Sequence, residues 1–408
     1  MGKKHQNEPS QDRENKALRG IENWGDSNKR SSRISKKTKR ILLVLTACFV
    51  FVLIAFNFQN LSPKNIVFWM EDKFLGLGGG LGYPVDIVGT KVDANNFKLM
   101  EHDLIVVSDT SFVALSASGK ELTNRQHSFS DPILKTAGSK VLIYNLQGTG
   151  YQTETRAKTI AKQTMPYRIL TGAIAANGNY AIVTESKDYL GEMTVYAEDQ
   201  SELYKYYFSE YYITDVCLSN DGKSAAAVGI SANGGTLKSV LYLFHIKDQE
   251  PKVVFEYENN LMLSVEYCSD GNVIAVGDTL TSFIHPSKKE KQDFAYDKKS
   301  LTCFETDTDS GVVLSLSSTA DNRNCQVISF DKSGKTIAQI ETGRKVYSVA
   351  IKDSRIAVLS DGNIITYSSK GEQKGQYEVG NDSKKILLPT QDKAYVLGIS
   401  EIKLFDLT

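Results

Sequence analysis

Two hydrophobic patterns divide the chain. Residues 41–58 read ILLVLTACFVFVLIAFNF, without a charge and apolar on every side. A helix in a buried core keeps a polar stripe at every third or fourth position, and this run has none. At about 1.5 Å per residue it reaches roughly 27 Å, close to the thickness of bilayer hydrocarbon, which predicts one transmembrane helix over 41–58. From Val85 onward the helical period gives way to alternation. Short runs rich in Val, Ile, Tyr and Phe recur between Gly, Asn, Asp and Ser, the pattern of strands joined by tight turns.

The strand region repeats. The stretches beginning at Phe112, Val327 and Ile364 each read as a strand, a turn closed by Gly119, Gly334 or Gly371, and a second strand. A different hairpin occupies 175–183, 218–228 and 268–276, where Asn-Gly or Asp-Gly supplies the positive φ of the turn. The two hairpins alternate, so one unit holds four strands. Anchors of the third strand fall at Leu115, weakly near Thr153, then at Tyr196, Phe244, Ile284, Phe330, Tyr367 and Phe405, a period of about 41 residues. Four strands in that length predict an all-β fold, a β-propeller of eight four-stranded blades. The units are 96–129, 131–164, 165–208, 209–257, 259–297, 299–342, 344–379 and 381–408. The last holds only three strands, and the orphan strand from Pro84 to Gly89 is expected to complete it, closing the ring and removing an open sheet edge.

Between the two regions, Ser62-Pro63 is a helix-start pair and is followed by Ile66 to Leu75, expected as a short interfacial helix with Trp69 at headgroup depth. Residues 76–82 then form a glycine-rich linker, so 59–83 is read as interfacial helix and linker. A phosphate-binding loop would need a strand before the glycines and a helix after; here the order is reversed.

Charge sets the topology. The chain of 408 residues has 48 basic and 48 acidic side chains, but residues 1–40 hold 12 Lys/Arg against 5 Asp/Glu. The cluster from Lys29 to Arg40 abuts the apolar run, which keeps that end in the cytoplasm. The expectation is a plasma-membrane protein with a single span, a disordered basic cytoplasmic tail over 1–40 and an extracellular propeller over 84–408. The tail is read as a topology signal, with docking to anionic headgroups or a cytoplasmic partner as the functional alternative. It lacks the interleaved aromatics of a nucleic-acid binder, and no nucleic-acid partner is expected. Leu45-Thr46-Ala47-Cys48 has the form of a lipoprotein signal. However, only seven residues of the run precede Cys48 and the apolar run continues beyond it, which favours an uncleaved anchor.

Gly78-x-Gly80-x-Gly82-Tyr-Pro-Val85, Asn96-Phe97, Ser108-Asp-Thr-Ser111, His127-Ser-Phe-Ser-Asp-Pro132 and Gly150-Tyr151 resemble an uncharacterised family of single-pass, membrane-anchored, propeller-like proteins of Gram-positive bacteria. The resemblance covers the span and most of the strand region, and it implies a fold and a topology but no activity. The turns also look like those of quinoprotein-type and WD-repeat propellers. The Trp docking residues of the first and the Trp-Asp pair of the second are absent.

No catalytic pattern emerges. The histidines at 5, 102, 127, 245 and 285 have no metal-ligand spacing, and Cys217, Cys268, Cys303 and Cys325 are far apart in sequence and expected free. A Cys303–Cys325 bridge is the rival pairing. Gly-x-Ser-x-Gly is missing as well. The reading is a non-enzyme without cofactor or metal: a membrane-anchored binding or scaffold protein whose propeller face takes an envelope protein, peptide or glycan. A transmembrane sensor and an enzyme with an unrecognised propeller-face site are the alternatives. The densest aromatic stretch, Tyr204 to Tyr212, straddles the junction of units three and four. Alternation puts Tyr204 and Tyr206 on one side of the strand, opposite Lys205 and Tyr207. Tyr207, Tyr211 and Tyr212 are the candidate partner-binding residues.

Overall fold

Alternating Val, Ile, Tyr and Phe suit a pleated surface covered on both sides, and they produce thirty-two strands, β1–β32, among the described residues. The computed structural model describes residues 79–408 except 234, together with the isolated positions 37 and 45. The expected tail, the apolar run 41–58 and residues 59–78 otherwise lie outside the described residues. Among the described residues no helix is long and apolar enough to cross a membrane.

The strands form eight antiparallel four-stranded sheets, the blades of a propeller. Blades 1 to 7 take consecutive strands. Their innermost strands are β2 (Val92–Met100), β6 (Pro132–Ala137), β10 (Ile169–Ile174), β14 (Tyr212–Leu218), β18 (Met262–Tyr267), β22 (Ser300–Asp307) and β26 (Ser348–Lys352). Blade 8 runs outward through β30 (Lys385–Thr390), β31 (Lys393–Leu397) and β32 (Glu401–Asp406), and its outermost strand is β1 (Val85–Asp86). The expected ring closure is therefore present, in a shorter form. Val85 pairs with Ile402 and Asp86 with Glu401, and Ile87 N donates to Ser400 O at 2.9 Å. Unit one starts earlier than read, at Val92, because an irregularity between Val92 and Phe97 breaks the alternation there.

Apolar burial lies between blades. Each of eight clusters joins two neighbours, such as Phe97, Leu104 and Val106 of blade 1 with Tyr395, Leu397 and Ile402 of blade 8. Val85 and Ile87 pack on that same cluster, so the closing strand is held by burial as well as by its ladder. Cys217, Cys268 and Cys325 belong to such clusters and Cys303 packs beside one; all four are free.

Topology gives the ring two faces. One carries the tight turns between first and second strands and between third and fourth; the other carries the remaining loops, including those that pass between blades. Gly80 N donates to Ser118 Oγ at 2.9 Å, Gly82 N to Ser118 O at 3.1 Å, and the Tyr83 hydroxyl to Ser116 O at 3.0 Å. The described half of the glycine run is thus bound to a turn of blade 1. Gly119 in that turn has φ 72°, and a Cβ there would sit 2.4 Å from Gly82 O, so glycine is required for the contact. Leu407 N donates to Asp392 O at 2.7 Å in a turn of blade 8. Both ends of the ring segment therefore lie on the turn face.

Candidate functional site

Innermost strands of a propeller surround its axis, and here they carry charge. Lys98 (β2), Lys135 (β6), Asp215 (β14), Glu266 (β18), Glu305 (β22) and Lys385 (β30) meet in the central channel. Asp215 is the hub. Its carboxylate accepts from Lys135 Nζ at 2.9 Å, Ser264 Oγ at 3.2 Å, Val265 N at 3.1 Å and Thr171 Oγ1 at 3.4 Å. Glu305 pairs with Lys385 and lies 4.0 Å from Lys98. These contacts join blades that are not neighbours: blade 2 to blade 4, blade 6 to blade 8, and blade 1 to blade 6.

The charged groups act on one another. Burial disfavours the Lys135 ammonium, but Asp215, Tyr144 and Glu266 outweigh it and its pKa is raised. Burial lifts Glu266 above the ordinary carboxylate range, with Asp215 and Glu305 adding to the lift against Lys135 and Lys98. Burial, Glu266 and Asp215 also push the neighbouring Cys217 thiol well up, the state of an inert structural cysteine. Three cations face three carboxylates, so the channel offers no unmatched charge to a ligand. Strand by strand these residues read as ordinary polar positions. Aligning the eight innermost strands would have exposed the repeated central charge.

The aromatic stretch sits where blades 3 and 4 meet. Along β13 (Glu202–Phe208), the outermost strand of blade 3, Tyr204 and Phe208 are buried and Tyr206 is partly covered, whereas Lys205 and Tyr207 point away, as the alternation predicts. Tyr206 and Phe208 pack on Tyr242 and Phe244 of β16 (Thr236–His245), with ring centroids 5.0 Å apart for Tyr206–Phe244 and 5.6 Å for Phe208–Tyr242. The structure corrects the sequence expectation at Tyr211. It is only 5% exposed, turned into the blade interface, and its hydroxyl donates to Glu256 Oε1 at 2.9 Å. Tyr212 is 57% exposed and Tyr207 43%. Tyr207 stacks on Tyr189 with centroids 4.8 Å apart. Tyr167, Tyr189 and Tyr212 all lie on loops or strand starts of the loop face, and Tyr207 is at the β13 end nearest it. Four exposed tyrosines thus occupy one face of two adjacent blades, opposite the face where the chain enters the ring.

Beside them the blades diverge into an open groove. A cavity of about 380 Å³ is walled by Tyr206, Tyr211 and Tyr242 and carries Glu210, Glu250 and Glu256. A second cavity, about 600 Å³, follows Glu202 to Lys205 and the turn Ile246 to Gln249, with Lys205 and Lys247 in its lining.

Two of the histidines are held by hydrogen bonds. His127 lies between Ser108 O, 3.0 Å from Nε2, and Phe129 N, which donates to Nδ1 at 3.3 Å; burial lowers its pKa. His285 Nδ1 contacts the Asn272 side chain at 2.9 Å. Among the described residues no three His, Cys, Asp or Glu side chains are grouped to hold a metal ion.

A family of unknown function, DUF5711, has a model that matches residues 85–404. Among solved structures, BamB from Moraxella catarrhalis is similar at 11% identity with a TM-score of 0.51, covering 79% of this chain and all of its own. The C-terminal WD40 domain of Sif2 is similar at 11% identity with a TM-score of 0.55, covering 81% of this chain and all of its own. At such identities the likeness concerns the fold alone. No curated protein matches the chain in sequence.

Proposed function

We propose that this chain, which belongs to the DUF5711 family, is a non-catalytic binding or scaffold protein anchored at the outer face of a membrane, with the loop face of its propeller as the binding surface. The observation that carries the reading is the gathering of Tyr167, Tyr189, Tyr207 and Tyr212, all exposed, on the loop face of blades 3 and 4. Tyrosine offers a broad apolar ring at small entropic cost and a hydroxyl for a polar partner, which suits a protein or glycan surface. Residues 79–83 lie on the turn face, opposite the face that carries these tyrosines.

Replacing Tyr207 and Tyr212 with Ser should reduce capture of an envelope protein or glycan several-fold while the melting temperature stays unchanged. Equal capture by the variant would remove this surface from the function. Protease applied to intact spheroplasts should digest the propeller and spare the basic tail; protection of the propeller would reverse the topology.

A further inference from the structure

On the loop face each blade is entered by a connection from the outermost strand of its predecessor to its own innermost strand, so these connections ring the mouth of the central channel. In blades 6, 7, 8 and 1 they are residues 296–299, 342–347, 379–384 and 87–91. They carry Lys298, Lys299, Arg344, Lys345, Lys384 and Lys91 against Asp297 and Asp382. The other mouth has the reverse sign: its turns between first and second strands hold Glu101, Asp221, Asp270, Asp309, Asp353 and Asp392, with Lys223 as their one cation. Residues 59–408 hold 36 Lys/Arg against 43 Asp/Glu, so an arc of cations over four consecutive blades departs from the character of the ring.

Two further observations concern the state of these cations. Among the described residues none of the six is ion-paired; Lys299 Nζ donates to Gln326 Oε1 at 2.7 Å, and Lys345 Nζ stands 5.1 Å from the centroid of the Tyr347 ring. Acids around the arc have donors of their own: Asp93 accepts from Asn95 N at 2.9 Å, Asp109 from Thr90 Oγ1 at 2.6 Å and Glu341 from the Gln326 amide, while Asp321 lies 3.5 Å from Arg323. Each connection is also fixed through its backbone. Lys299 N donates to Tyr296 O at 3.0 Å, Cys325 N to Arg344 O at 3.1 Å, Tyr347 N to Leu359 O at 2.9 Å, Lys384 N to Leu397 O at 2.8 Å and Asp109 N to Lys91 O at 3.1 Å. Cations presented on a fixed backbone without a counter-charge suit an anionic partner, because little ordering of the chain is left to be done on binding.

We propose that this arc is a docking surface for an acidic polysaccharide, whose carboxylates pair with Lys298, Arg344, Lys345 and Lys384 while a sugar ring lies against Tyr347, which is 49% exposed. A polypeptide fits less well. Extended peptides are taken up along an open sheet edge or in an apolar groove. Here the open edges belong to the outermost strands at the perimeter, and neither cavity of blades 3 and 4 is lined by the arc. The proposal rests on the loop face being the binding surface and gives that face a class of partner. Its residues are not the tyrosines of blades 3 and 4, so the two can fail separately.

Acetylation footprinting of the full chain in non-ionic detergent, read by mass spectrometry at each lysine, provides the test and keeps the arc apart from the basic tail. The probes are hexagalacturonate, maltohexaose as a neutral sugar and hexaglutamate as an acidic peptide. Hexagalacturonate should slow acetylation of Lys91, Lys298, Lys345 and Lys384 roughly threefold or more, an effect that fades with added salt. Lys288 and Lys289, exposed on the turn face, should be unchanged, and maltohexaose should protect none of these lysines. Arg344→Gln/Tyr347→Ser should remove most of the protection at an unchanged melting temperature, whereas Tyr207→Ser/Tyr212→Ser should keep it. Should the first variant unfold, Arg344→Gln alone decides in the same way. Absence of protection by hexagalacturonate, or equal protection by maltohexaose, overturns the arc and leaves the loop-face reading standing, as does loss of protection in the Tyr207→Ser/Tyr212→Ser variant. Protection of Lys288 and Lys289 in place of the arc overturns both. Stronger protection by hexaglutamate hands the arc to an acidic polypeptide and overturns the glycan.

Discussion

The central channel and the groove between blades 3 and 4 are both rich in acids, yet they treat them in opposite ways. In the channel Asp215 is 8% exposed at its side chain and accepts four hydrogen bonds, one of them from an ammonium. In the groove Glu210 and Glu250 are exposed and, among the described residues, belong to no ion pair. A carboxylate withdrawn from water must find its counter-charge within the protein, whereas one at the surface can keep its water until a ligand displaces it. Charge in the channel therefore serves cohesion, and charge in the groove stays in water.

Removing the hub should have the largest effect. Asp215→Ala leaves Lys135 without its partner inside the ring and should lower stability by about 3–5 kcal/mol in denaturant titration; a loss below about 1 kcal/mol would mean the channel charges are solvated like those of the groove. Next come the two adjacent tyrosines. Tyr211→Ala, which empties a buried aromatic site, should lose about 3 kcal/mol, while Tyr212→Ser should stay within about 0.5 kcal/mol. Equal losses would undo the division between interface and surface.

Glu266 sharpens the contrast through pH. Its folded pKa is raised, so the folded state holds the proton more tightly than the unfolded chain. The resulting penalty is absent below the ordinary carboxylate pKa, grows as pH rises through the folded value, and is complete above it. Glu266→Gln should therefore stabilise the ring at neutral pH, leave it unchanged in acid, and flatten the melting temperature between these limits. The smallest effect belongs to the groove. Glu210→Gln/Glu250→Gln should shift stability by no more than about 0.5 kcal/mol, and a large loss would make these acids structural.

The local half of this architecture was legible in the sequence. Turns closed by Gly119, Gly334 and Gly371 fix hairpins through backbone conformation, a property of a few consecutive residues, and their alternation with Asn-Gly and Asp-Gly turns led to four-stranded units. The strand near Thr153, a faint signal, is β8 (Gly150–Glu154) of blade 2. Alternation also separated Tyr204 and Tyr206 from Tyr207. It could not separate Tyr211 from Tyr212, because the loop between blades leaves the two-residue period just where that choice is made. The channel network was invisible for a different reason. Lys98 meets Glu305 only after the ring closes, and no local pattern carries a contact across a lumen. The groove required the divergence of two blades, a property of radial packing, although the aromatic density from Tyr204 to Tyr212 was plain.

The closing strand has a consequence for the order of events during synthesis. Of the described strands, β1 leaves the ribosome first and its partner β32 last. Through the production of everything between them, Val85 and Asp86 have no strand to pair with, and the seam between blades 8 and 1 stays open. Closure of the ring is thus the last of its strand pairings to become possible. A chain stopped short of Glu401 would carry seven complete blades and still leave β1 unpaired and blade 8 without its two outer strands.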